Sequence, residues 1–139
     1  MSMSGQLSHQ RLFDLLTQLR RSWPGGGWSW DSRFTCVAST IPAETTAKAR
    51  VAASLALPHA WTERTLLQAP LEVRQIAEVS GGLRESQLVL ASPSIGGIFA
   101  WGLWWPWRDG NTVSMRVGIG GNAGPRFEMM LSETFGAEM

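Results

Sequence analysis

Apolar positions near the start of the chain recur at helical spacing: Leu12, Leu15, Leu16, Leu19 and Trp23 fall on one side of a helical wheel, with Arg11, Asp14, Gln18, Arg20 and Arg21 elsewhere. This predicts an amphipathic helix over 7–23. The stretch WPGGGW ends it, because the residue before a proline avoids helical geometry and three glycines favour a turn. The period then changes to two in RFTCVAS, where Phe34, Cys36 and Ala38 alternate with Arg33, Thr35 and Ser39, the pattern of a half-buried strand. A second helix is expected next, capped by Ser39 or Thr40, with Pro42 in its first turn, Glu44 at its positive end and Pro58 blocking its continuation. Its alanine-rich face predicts close packing against the sheet.

Residues 59–70 follow neither period, and fit a short helix or an irregular connection equally well. Beyond Pro70, Leu71, Val73, Ala77 and Val79 alternate with Glu72, Arg74, Glu78 and Ser80, which predicts a strand. Further strands are expected at QLVLAS, over 97–107 and over 112–119, and a last helix over 125–135 opens with Pro125 and carries Phe127, Met130, Leu131 and Phe135 on one side. The order predicts an α+β fold: an antiparallel sheet, made of a meander of about four strands plus one N-terminal strand, with flanking helices at both chain ends. One domain over 1–139 is expected, with residues 1–6 flexible.

The stretch FAWGLWWPWRDGN carries four of the chain's eight tryptophans, and its turn decides where they face. A two-residue Asp109-Gly110 turn pairs Trp107 with Thr112 and sets the large aromatics beside Thr112, Ser114 and Arg116 as a platform. A three-residue loop closed by a left-handed Gly110 pairs Trp105 with Val113 and Leu103 with Met115, gathering Phe99, Trp101, Leu103 and Trp105 with the apolar side of the next strand. Burial favours the second register. It leaves Trp104 on the polar face near Ser114 and Arg116, either under a helix or as a contact.

Composition narrows the function classes. The 44% apolar and 17% charged residues are those of a folded chain. A net charge of +1, with arginines and acids scattered, supplies no field for nucleic acid or anionic lipid. The single cysteine, Cys36, excludes an intrachain disulfide and points to a reducing compartment, so a cytoplasmic location is the expectation. The start of the chain has no signal-peptide pattern, and its longest apolar run is too short for a membrane-spanning helix.

Candidate chemistry is sparse. GIGGNAGP resembles a glycine-rich dinucleotide fingerprint only in its opening, since a Rossmann unit needs a further strand and an acidic residue downstream. His59 and Glu63 would share a face if their segment were helical, but two ligands make no metal site. Cys36 shares a strand face with Phe34 and Ala38 and is expected to be an inert thiol. No spacing unites Ser94, Ser114 and Asp31 as a catalytic triad. No catalytic residue, metal or cofactor is therefore assigned.

The leading expectation is a non-catalytic binding module or adaptor, using a Trp/Arg-bearing sheet surface with Trp104, Arg116, Trp28, Trp30 and Arg108 as contacts. Its partner would be another protein or a second copy of the chain. The alternative is a small-ligand-binding protein or small enzyme with a tryptophan-lined pocket near His59, involving Glu63, Arg64 and Trp61.

Overall fold

The computed structural model describes residues 3–139, with side chains from His9 onward; the expectation of a flexible start at 1–6 falls outside the described side chains. Among the described residues, four α-helices, α1 (Met3–Ser22), α2 (Thr46–Ala56), α3 (Leu71–Val79) and α4 (Pro125–Phe135), accompany six strands: β1 (Ser29–Asp31), β2 (Cys36–Pro42), β3 (His59–Trp61), β4 (Leu88–Ala91), β5 (Ile98–Pro106) and β6 (Thr112–Gly121). The strands form one antiparallel sheet in the order β1-β2-β6-β5-β4-β3. The fold is α+β with helices at both chain ends, and the sheet has more strands than the five expected.

The strand expected after Pro70 is a helix. Counting Leu71, Val73, Ala77 and Val79 as alternation passes over Ile76. Helical spacing instead puts Val73, Ile76 and Ala77 on the inner side and leaves Leu71 and Val79 exposed. Segment 59–70 contributes the edge strand β3 and a single 3-10 turn at Leu66–Gln68. The N-terminal strand begins at Cys36 rather than at 33, because residues 32–35 turn the chain back from β1. Pro42 closes β2 instead of opening α2. The alanines of α2 at 49, 52, 53 and 56 are buried, and allow its close approach to α1.

The two faces of the sheet bury separate clusters. On one, Val37 and Ile41 of β2, Val113, Met115 and Val117 of β6, and Ile98, Ala100 and Trp104 of β5 meet α1, α2 and α4. On the other, Cys36, Val89, Ala91, Phe99, Trp101 and Leu103 meet Ala69, in the segment before α3, and Val73 on the inner side of α3.

The β5–β6 register is the one burial had argued against. Trp101 faces Gly118, Phe99 faces Gly120, Trp104 faces Met115 and Trp105 faces Ser114. Closure runs through residues 108–111: the Trp107 amide donates to the Thr112 carbonyl at 2.8 Å, and Asp109 Oδ1 accepts from the amides of Asn111 and Thr112 at 2.8 and 3.1 Å. Gly110 takes φ 71°, where a side chain is strained. Both faces are covered over β5, so no single apolar face has to be assembled and burial does not select the register. Volume decides instead: a Cβ on Gly118 would overlap the Trp101 indole, and one on Gly120 would lie 2.5 Å from Phe99 Cζ.

Gly118→Ala is accordingly expected to lower unfolding stability by about 1–3 kcal/mol through overpacking. Gly26→Ala, with nothing within 4 Å of its added carbon, is expected to cost less. Urea titration checks both, and Trp101→Leu should recover part of the Gly118→Ala loss in the double variant.

Candidate functional site

Side-chain parity distributes the expected contact residues over two faces. Trp104 is 5% exposed on the helical face, with the Arg50 guanidinium of α2 at 5.4 Å from its ring centroid. Trp28 is 8% exposed, between Trp23 at 5.1 Å and Phe135 at 4.7 Å, and Trp30 is half-buried against the same core. Trp104 and Trp28 are core residues and Trp30 packs partly buried against that core, so none of the three lies on the sheet face that carries Arg116. The Trp23 indole N–H also donates to Ser39 Oγ at 3.0 Å, so a buried hydroxyl on this face is paired.

Arg116 and Arg108 occupy the other face, with Trp105 and Trp107. The register explains the grouping: Ala38, Arg116 and Leu103 form one row across β2, β6 and β5, and Thr40, Ser114 and Trp105 form the next. Small side chains on β2 and β6 leave a trough of about 540 Å³ beside the large ones of β5. Trp107 is 49% exposed at its rim. Trp105 is half-buried, and its Nε1 is enclosed without a hydrogen-bond partner among the described residues.

Arg116 is held in place from several sides. Its Nε donates to Asp31 Oδ2 at 3.2 Å, and its guanidinium carbon lies 5.0 Å from the Trp105 centroid and 5.8 Å from that of Phe34. Asp31 Oδ1 accepts from the Arg33 amide at 3.0 Å, and Arg33 Nη2 lies 3.6 Å from Oδ2. The hairpin that presents Asp31 and Phe34 carries Thr35 at φ 47°, a left-handed conformation costly for a β-branched residue.

Burial alone would raise the Asp31 carboxyl, but hydrogen bonds from Arg116 and Arg33 outweigh it and hold the group below its ordinary value of 3.8. Burial, with the Asp31 charge nearby, pushes the Cys36 thiol up to about 12, so at neutral pH it is held protonated. Ser114 Oγ donates to the Trp105 carbonyl at 3.5 Å and Asp31 is engaged by arginines, so these two are not arranged as parts of a triad.

The residues expected around a second pocket separate. His59 and Trp61 line a cavity of about 330 Å³ with Pro70, Val73, Ala91 and Phe99. Glu63 and Arg64 lie exposed in the turn beyond β3 and do not line it. His59 is in a strand, so the helical His59–Glu63 face does not form. Among the described residues, no group of three or more His, Cys, Asp or Glu side chains is placed to hold a metal ion, and no helix is long and apolar enough to cross a membrane.

Trp105, Trp107 and Phe34 were not among the expected contacts, and Asp31 was weighed only as a triad member. The available signal was that Trp105 and Trp107 share a parity, and meet Arg116 only in the register that burial disfavoured. No family model matches this chain, and neither a curated protein nor a solved structure matches it.

Asp31→Asn should destabilise the fold at pH 7 by about 1–3 kcal/mol, since a charge-assisted hydrogen bond is lost. A lowered native pKa contributes stability above the unfolded value of 3.8 and loses it as pH falls through the native one. The gap between wild type and variant should therefore close under acid, as denaturant titrations over a pH series would measure.

Proposed function

We propose that the protein is a non-catalytic binding module whose partner seats on the open sheet face, in the trough bounded by Trp105, Trp107, Arg108 and Arg116. The observation that carries this reading is the composition of that wall. Two tryptophans and two arginines, the residue types that dominate interface energetics, adjoin a floor of Ala38, Thr40 and Ser114 that no helix covers. Because Arg116 is fixed by Asp31 and two aromatic rings, little side-chain entropy remains to be lost on binding. The trough is open, wide and shallow, and it holds no positioned nucleophile–base pair, which favours a macromolecular partner over a reacting substrate.

A second reading, small-ligand binding, is favoured by the cavity at His59 and Trp61, whose volume lies near the lower end of that of ligand pockets. The two readings place a bound molecule against different tryptophans, Trp107 or Trp61.

Affinity capture from the cells that produce the protein, read by quantitative mass spectrometry, tests the leading reading. Wild type and Leu67→Ala, a change at an exposed leucine remote from the trough, should retain a partner at near-equal amount. Thr40→Trp, which fills the trough, and Trp107→Ala should retain at least about tenfold less. Sedimentation equilibrium covers the case in which the partner is a second copy. Equal capture by all four proteins, or a monomer that captures nothing, contradicts the reading.

A further inference from the structure

We infer that the trough recognises an acidic segment of a protein partner, lying extended across the strands with a carboxylate on Arg116 and Arg108. The inference rests on the binding-module reading and adds the chemistry of what is bound.

Charge complementarity carries the argument. The chain has a net charge of only +1, yet Arg116 and Arg108 both line the trough, and the nearest carboxylates are already engaged: Asp31 with Arg116 and Arg33, and Asp109 with the amides of Asn111 and Thr112. Neither Asp nor Glu lines the trough, whereas Ser29, Thr40, Ser114 and Gln87 add hydroxyl and amide groups. Only the Nε of Arg116 is spent on Asp31; its Nη groups hydrogen-bond to no described residue and are not enclosed. A guanidinium stacked on an indole, with one edge satisfied, keeps its remaining N–H fork for a planar anion, and carboxylate fits that fork with two hydrogen bonds.

The dimensions favour a peptide over a small anion. The lining runs from Ser29 on β1 through β2 and β6 to Trp105 on β5. Three interstrand spacings of about 4.8 Å make roughly 14 Å, the reach of about four extended residues. Trp107 at the rim offers an exposed ring to an apolar side chain flanking the acid. A nucleic-acid strand would need a longer run of cations, and the trough has two.

The test is selection from a random displayed peptide library on the purified full chain, with the selected peptides then measured by fluorescence titration and by the indole N–H resonances of Trp105 and Trp107. Selected sequences should be enriched in Asp and Glu. Their affinity should fall by about tenfold or more in Arg108→Glu, an exposed position whose variant should fold, and Arg116→Lys should weaken them while keeping the charge. Thr40→Trp should abolish binding.

Neutral peptides that shift the Trp107 signal and are lost in Thr40→Trp would overturn the acidic preference and leave the module reading standing. Inorganic phosphate that displaces the acidic peptides at comparable concentration would show a general anion site and also overturn it. Selected peptides that leave both tryptophan signals unmoved, or a wild type that selects none, would overturn both.

Discussion

Pairing of the largest side chains against the smallest across β5 and β6 is the constraint on which the structure depends. Trp101 and Phe99 extend over Gly118 and Gly120, and Gly102 makes room on the opposite face for Leu57 and Met115, whose side-chain carbons would lie 2.8 Å from a Cβ placed there. Sliding the strands by one residue would set Gly118 against Ala100 and move the indole of Trp101 onto Val117. Because strand side chains alternate, that slip would also exchange the faces of every residue on one strand relative to the other. The local fit at two glycines therefore determines that Trp104 meets Met115 under the helices and that Trp105 lies beside Arg116.

The two faces are finished differently. Three helices close one, where Trp104, Trp23 and Trp28 fill the space between sheet and helices. The other has only the short α3 and the segment before it, which pack over β4 and β5. Over β2 and β6 the side chains are small, and the one large residue, Arg116, is held by Asp31 and flanked by Phe34 and Trp105. A stacked, paired guanidinium beside a low floor is a preorganised surface, and the proposed function follows from that asymmetry.

Much of the architecture was legible from periodicity. The first and last helices, the QLVLAS strand and the two long strands all lie close to their expected places, since each carries a strong apolar repeat and clear stop signals. The segment after Pro70 was misread because LEVRQIAEV supports two periods, and only the neglected Ile76 separates them. The edge strands β1 and β3, three residues each, are too short to show alternation. Of the residues that bound the proposed trough, Arg116 and Arg108 were among the expected contacts and Trp105 and Trp107 were not. Register depends on volume matching between strands, and a hydrophobic pattern treats Trp101 and Val117 as equivalent.

Nuclear Overhauser contacts across β5 and β6 test the central claim most directly. The register requires that Trp104 lie opposite Met115 and Gly102 opposite Val117, so short interstrand contacts between the backbone protons of these pairs are predicted. Contacts pairing Leu103 with Met115 and Trp101 with Val117 instead would contradict it, and would return Trp104 to the face of Arg116.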